Sequence, residues 1–152
     1  MRPALAPTLA LALLLPFAAC RKEEDPILAT VEALEAAADE RDAAAAERLL
    51  AHGYSDREHP DRAAAVLTIR RYFAAYESVS ASFSDLEVER KPDLARATFT
   101  ATFDGSPRKL GSLDAILPRS AKVRFEMTFV PEEDRWKVSW ASWELVSEGT
   151  TP

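Results

Sequence analysis

Tyr54, Asp56 and His59 are the residues of this 152-residue chain whose types and spacing come closest to an acid–base site. A tyrosine can donate a hydrogen bond to a developing oxyanion while a carboxylate or an imidazole moves a proton. The chemistry would then be proton transfer of the kind that isomerases and dehydratases perform. The same three residues also suit a structural role, because Asp56 lies in a turn-like connector and His59 precedes a proline at a helix start. The sequence leaves both interpretations open.

Other kinds of chemistry have little support in the sequence. The two histidines, His52 and His59, match no metal-ligand motif, and a single cysteine excludes a cysteine-rich zinc site. Four glycines in the whole chain leave no loop that could cradle a phosphate chain, and no Ser–His–Asp pattern is present. We therefore expect no metal and no cofactor. A net charge of −6 also argues against nucleic acid as a partner.

The first twenty residues have the features of a secretory signal: a basic start, a short apolar core and small residues before a cleavage site. The motif Phe17-Ala18-Ala19-Cys20 resembles the lipobox of bacterial lipoproteins, with Phe17 where the family usually has leucine. The resemblance implies cleavage after Ala19 and lipidation of Cys20, whose acyl chains would anchor the protein in a membrane. An ordinary secretory signal is the alternative.

This resemblance predicts the location and the division of the chain. We expect a cell-envelope lipoprotein, on the outer membrane facing the periplasm if the bacterium is Gram-negative, because Arg21 rather than aspartate follows the cysteine. Residues 1–19 would be the signal peptide, 20–25 the lipidated cysteine with a charged tether, 26–148 one folded domain, and 149–152 a tail.

Three helices are predicted at the start of the domain. Asp25 and Pro26 form a typical N-cap and first turn, and apolar residues recur at helical spacing to position 38. Asp42 would cap a second helix over 43–52, with Gly53 after its end. A connector over 53–60, with room for one short strand, leads to a third helix from about 60 to 76.

Four strands follow, because the apolar period changes from helical spacing to two. They are predicted at 79–91, 95–104, 121–130 and from about 135 onwards, with bulges near Ser84-Asp85 and Ala141-Ser142. Helices that precede a meander indicate an α+β domain, with three N-terminal helices packed on a bent four- to five-stranded, mainly antiparallel sheet.

The strand positions expected to face the helices carry apolar side chains and no acid, base or nucleophile. These side chains would either fill a core or line an apolar pocket for a hydrophobic ligand such as a lipid fragment. The principal residues, with one from the third helix, are Phe73, Phe99, Phe103, Phe125, Met127, Trp136 and Trp140.

The whole layout is similar to the nuclear transport factor 2-like superfamily, the cone of ketosteroid isomerase and scytalone dehydratase. The segment 37–50, the third helix and the closing strand with its Trp136-Lys137-Val138 motif carry the likeness. It implies a pocket between helices and sheet, in a superfamily that contains isomerases, dehydratases, cyclases and non-catalytic binding modules. A cystatin-like fold is the alternative.

We therefore expect a membrane-anchored lipoprotein whose domain binds a partner protein or a small apolar ligand without catalysis. One alternative is a pocket enzyme of isomerase, dehydratase or cyclase type that uses Tyr54, Asp56 or His59. Another is a homodimer or assembly module that uses the threonine-rich outer face of the sheet.

Overall fold

The computed structural model describes residues 24–109 and 117–147. Within them, three helices precede four strands in chain order. The elements are α1 (Pro26–Asp39), α2 (Ala43–Leu49), α3 (Arg62–Ala75), β1 (Tyr76–Lys91), β2 (Leu94–Pro107), β3 (Ser120–Glu132) and β4 (Arg135–Leu145). The predicted α+β class and the order of helices before strands are confirmed. The proposed signal peptide and Cys20 lie outside the described residues.

An aspartate caps the N-terminus of each helix. Asp25 accepts hydrogen bonds from the backbone N–H groups of Ile27 and Leu28, while Asp42 and Asp61 each accept one from the residue three positions ahead. These bonds satisfy N–H groups that have no partner inside a helix. No helix in the described ranges is long and apolar enough to cross a membrane.

The second helix is shorter than predicted, because the chain leaves it to pair with the sheet. Leu50 adopts extended backbone and forms an isolated parallel bridge with Val138, and the Ala51 N–H donates to the Val138 carbonyl at 2.8 Å. The last predicted turn, 50–52, is therefore not helical. This bridge is the nearest that the described residues come to a fifth strand.

The sheet is an antiparallel meander in the order β1-β2-β3-β4. Its inner face, which packs against the helices, carries Ala95, Ala97 and Ala101 on β2, all buried. Ile27 and Val31 of α1 belong to the same core, and both are almost fully buried. The outer face carries the alternate β2 residues, which include Arg96, Thr98, Thr100 and Thr102.

Besides a register shift between Tyr76 and Ser78 at the start of β1, two bulges change which residues reach the inner face. The first lies between Ser84 and Glu87 on β1, as predicted, and Asp85 there has φ of 57°. The second lies on β4 at Ser139, because Phe129 pairs with Val138 while Thr128 pairs with Trp140. The predicted position near Ala141-Ser142 is therefore wrong by two residues.

The earlier bulge reverses the predicted orientation of Trp140 on β4. Trp140 pairs with Thr128, which pairs with Arg96, so Trp140 lies on the outer face. Trp143 pairs with Phe125 and lies on the inner face. The assignment of Trp140 to an inner core or pocket was wrong, since the extra residue shifts the two-residue alternation before Trp140.

Candidate functional site

Asp56 is the centre of a hydrogen-bonded cluster in the connector between α2 and α3. The Tyr54 hydroxyl donates to its Oδ2 at 2.6 Å. The backbone N–H groups of Glu58 and His59 donate to its Oδ1 at 2.7 and 2.8 Å. Only 1% of the Asp56 side chain is exposed, so these donors replace the water that the carboxylate loses. This arrangement is the aspartate turn expected from the sequence.

The imidazole of His59 joins the Asp56 carboxylate to helix α3. Its Nδ1 lies 2.9 Å from Asp56 Oδ2 and 3.0 Å from Oδ1, and its Nε2 lies 2.9 Å from Thr68 Oγ1. A carboxylate at Nδ1 fixes the proton on that nitrogen, which leaves Nε2 of the neutral ring to accept from the Thr68 hydroxyl. The ring is therefore oriented from both sides.

The cluster shifts the acidities of Tyr54 and Asp56 in opposite directions. Burial tends to raise the pKa of Asp56, but hydrogen bonds from Tyr54, His59 and the two backbone N–H groups outweigh it and lower that pKa below its ordinary value. Burial, together with the hydrogen bond to Asp56 and its charge, raises the pKa of Tyr54. Asp56 is therefore a carboxylate and Tyr54 a neutral phenol at neutral pH.

A row of aromatic rings on the inner face runs from the core to His59. Phe99 and Phe125 stack with centroids 5.4 Å apart, and Phe125 lies 6.4 Å from Trp143. The His59 ring stacks on Trp143 at 6.3 Å with an interplanar angle of 29°. Phe99 is buried, Phe125 is half-buried and Trp143 is 38% exposed, so the row opens to solvent beside His59.

The structure brings together most of the residues that the sequence singled out. Tyr54, Asp56 and His59 form one cluster. The inner-face core includes or contacts Phe99, Phe103, Phe125, Met127 and Trp136. Phe73 instead lines a hollow beside the turn between α1 and α2. Cys20 lies outside the described residues, so its lipidation stays a prediction.

Sequence reasoning missed two members of the site. Thr68 is the one hydroxyl residue in the apolar stretch 65–69 of α3, and that interruption was the available signal. Trp143 was left out of the residues expected on the inner face, because its position has the opposite parity to Trp136 and Trp140 along the strand. A bulge between Val138 and Trp143 turns it inward.

The outer face presents a different surface. Trp140 and Leu94 line a hollow of about 530 Å³ there, together with Thr128 and basic residues near the β1–β2 turn. Arg96 on this face forms an ion pair with Glu126. The predicted homodimer through this face stays a prediction.

The arrangement at His59 can bind and orient a polar group. Its imidazole and the Thr68 hydroxyl are fixed polar groups beside an exposed indole, which suits an aromatic or apolar molecule with one polar substituent. In the part of the chain that the structure describes, no three His, Cys, Asp or Glu residues are grouped to bind a metal ion.

Comparisons with known proteins identify the fold. No protein-family model matches the chain, and no curated protein does. Solved structures do: a proposed scytalone dehydratase from Novosphingobium aromaticivorans has a TM-score of 0.69 at 11% identity, with 80% of this chain and 83% of that chain covered. A nuclear transport factor 2-like superfamily protein from Salmonella enterica has a TM-score of 0.67 at 10% identity, with 82% and 92% covered.

A larger protein contains the same unit. Bd1075 of Bdellovibrio bacteriovorus has a TM-score of 0.67 at 11% identity, and the match covers 81% of this chain but 40% of Bd1075. Identities this low establish shared architecture and no shared activity. The helices and the antiparallel meander of this chain therefore have the nuclear transport factor 2-like fold.

Proposed function

We propose that the domain binds a small apolar or aromatic ligand where Trp143 meets His59, without catalysing a reaction. The observation that carries this proposal is the exposure of Trp143 on the inner face. Trp143 packs against Phe125, yet 38% of it is exposed. It therefore offers a flat apolar surface at the end of the aromatic row. Covering that surface removes apolar area from water, which favours binding.

The polar groups beside Trp143 favour binding over catalysis. Asp56 already accepts hydrogen bonds from Tyr54, from two backbone N–H groups and from the His59 ring. His59 Nε2 is engaged by Thr68. A saturated network holds the ring in place, and a ligand that carries a donor can still bond to the Thr68 hydroxyl oxygen, whose lone pairs are not used by His59.

Binding of the neutral apolar dye N-phenyl-1-naphthylamine tests this proposal. We expect Trp143→Ala to weaken dye binding by roughly tenfold, since a stacking contribution of about 1.4 kcal/mol corresponds to a tenfold change in affinity. Trp140→Ala is the matched control, because Trp140 belongs to the same strand but lies on the outer face. Equal weakening by both variants, or no binding to the wild-type protein, would contradict the proposal.

Acid–base catalysis is the second candidate, and the contact between Asp56 and His59 favours it. A buried carboxylate at Nδ1 makes Nε2 the basic nitrogen of the ring. On a β-hydroxy ketone, Nε2 would take a proton from the carbon next to the carbonyl. The hydroxyl would then leave as water after accepting a proton from the imidazolium. The relative from Novosphingobium aromaticivorans, a proposed scytalone dehydratase, gives this class of reaction a precedent on the fold.

The enzyme candidate is tested by following the absorbance of the conjugated enone formed from a β-hydroxy ketone. If the protein is an enzyme, His59→Gln should lower its rate by about 100-fold or more. His52→Gln should leave the rate unchanged, because the His52 side chain is exposed. Wild-type protein that accelerates nothing, while it binds the dye, supports a binding module.

We further propose that Cys20 carries the lipid that attaches the domain to the bacterial envelope. The Phe17-Ala18-Ala19-Cys20 motif and the single cysteine of the chain support it. Labelling with a radioactive fatty acid should mark the wild-type protein and leave Cys20→Ser unlabelled and unprocessed. Release of unlabelled wild-type protein into the soluble fraction would refute the anchor without affecting the ligand proposal.

A further inference from the structure

Three arginines line one hollow of about 330 Å³ on the helical side of the domain. Arg41 comes from the turn between α1 and α2, Arg70 from α3, and Arg108 from the residue after β2. Glu40 is the one acidic residue among the described residues of the wall. Within a chain of net charge −6, this wall therefore has an excess of positive charge. The remaining lining residues are Ala43, Phe73 and Ala74.

Two of these arginines donate hydrogen bonds to backbone carbonyls at the end of α3, one within the helix and one on the residue that follows it. Arg41 Nη1 donates to the Tyr76 carbonyl at 2.7 Å, and Arg108 Nε donates to the Ala74 carbonyl at 2.9 Å. A guanidinium has five N–H donors, and the others on these two side chains have no partner among residues 24–109 and 117–147. Donors fixed in this way lose little entropy when a ligand binds.

The backbone conformation at Arg41 is unusual for an arginine. Its φ is 52°, in the left-handed region that favours glycine. The Arg41 N–H donates to the Ala38 carbonyl and the Asp42 N–H donates to the Ala37 carbonyl, which is a helix ending that usually places glycine at this position. Glycine would form the turn with less strain but would bring no guanidinium to the hollow.

Arg70 differs from the other two arginines because its one partner among the described residues is a carboxylate side chain. Its side chain is 60% exposed and contacts Glu47 with Nη2 and Oε2 3.3 Å apart. Exposed pairs of this kind are weak, so a bound anion can compete with Glu47 for this guanidinium. Replacing Arg70 also leaves the hydrogen bonds of the α3 end untouched.

We propose that this hollow is a binding site for a small oxyanion, a carboxylate or phosphate group carried by a ligand. The planar fork of a guanidinium matches two oxygens of either group. The three cations outnumber the two nearby carboxylates, Glu40 in the wall and Glu47 beside Arg70. None of its lining residues belongs to the Tyr54–Asp56–His59–Thr68 cluster, so the site is additional to the apolar site at Trp143 and does not rest on it.

Calorimetric titration of the full chain in neutral detergent micelles tests this site. The probes are inorganic phosphate and acetate, each added at constant ionic strength made up with chloride. We expect saturable binding of at least one of them, weakened roughly tenfold in Arg70→Gln, as for the loss of one charge-assisted hydrogen bond. Arg71→Gln is the matched control, since Arg71 is exposed on the same helix and does not line the hollow.

Saturable binding of either anion supports the site. Tighter binding of phosphate would identify a phosphate-bearing ligand, and tighter binding of acetate would identify a carboxylate. Absence of saturable binding to the wild-type protein overturns it. Equal weakening in Arg70→Gln and Arg71→Gln also overturns it, because general charge screening would then explain the signal.

Discussion

The His59 ring stacks on the indole of Trp143, with centroids 6.3 Å apart, although 84 positions separate the two residues in the sequence. His59 comes from the connector before α3, and Trp143 from the last strand. The contact therefore joins the helical layer to β4, the last strand in the order of the sheet. Through Asp56 and Thr68, the same histidine also joins the connector to α3.

The stacking predicts an energetic coupling between His59 and Trp143. In a double-mutant cycle of His59→Ala and Trp143→Ala, we expect a coupling of about 0.5–1.5 kcal/mol in the free energy of unfolding, as for aromatic pairs in general. Urea denaturation measures it. A cycle of His52→Ala with Trp143→Ala serves as the control and should show additivity. Additivity in the His59 cycle would show that the stack contributes nothing.

Asp56 is predicted to stabilise the fold more than Tyr54 does. Asp56→Asn removes the charge that four donors surround, and we expect it to lower the free energy of unfolding by about 2–4 kcal/mol. Tyr54→Phe removes one donor and leaves the others, so about 1–2 kcal/mol is expected. Chemical denaturation followed by tryptophan fluorescence gives both values.

Glu58→Gln is the control for these two variants, because Glu58 uses only its backbone N–H in the cluster and its residue is exposed. It should change stability by less than about 0.5 kcal/mol. A larger loss from Tyr54→Phe than from Asp56→Asn would mean that the buried ring, and not the carboxylate, organises the connector.

The two pKa shifts predict stability losses at opposite ends of the pH range. The pKa of Asp56 is lowered in the folded protein, so its contribution is present above its unfolded value of about 3.9 and is lost as pH falls below it. The pKa of Tyr54 is raised, so its contribution is present below about 10 and is lost as pH rises beyond it.

Thermal unfolding measured across pH tests each limb separately. Asp56→Asn should flatten the acid limb, and Tyr54→Phe should flatten the alkaline limb while it leaves most of the acid limb in place. An alkaline limb that is unchanged in Tyr54→Phe would assign that loss to other groups.

Much of the fold could be predicted because its signals are local. The predicted capping aspartates, Asp25 and Asp42, lie within three residues of the N–H groups that they satisfy. The alternation on β2, from Ala95 to Phe103, is likewise visible in a short window. These features depend on spacing along the chain, which a single sequence contains.

The features that were missed depend on contacts between distant segments. Leu50 leaves the helix because Val138, 88 positions later, offers a backbone partner. The bulge at Ser139 depends on the register with β3, and its position before Trp140 turns that side chain to the outer face. Asp56 and His59 were recognised from their types, but Thr68 and Trp143 complete the site through tertiary packing.

Gly105 on β2 is predicted to be a position where a single methyl group disrupts packing. A Cβ built there would lie 2.8 Å from Tyr76 Cδ1 and 3.2 Å from the Ser78 carbonyl oxygen. The Tyr76 ring cannot easily move away, because it is buried and its hydroxyl donates to the Pro118 carbonyl at 2.8 Å. We expect Gly105→Ala to lower the free energy of unfolding by about 1–3 kcal/mol.

Gly53 offers the matched substitution, because a Cβ at Gly53 would meet nothing within 4 Å. Gly53→Ala should therefore be neutral or stabilise the protein by up to about 1 kcal/mol, through the lower entropy of the unfolded chain. Urea midpoints of the two variants, compared with the wild-type protein, measure the difference. Equal midpoints for Gly105→Ala and Gly53→Ala would mean that Tyr76 can shift freely, and that its bond to Pro118 does not fix the start of β1.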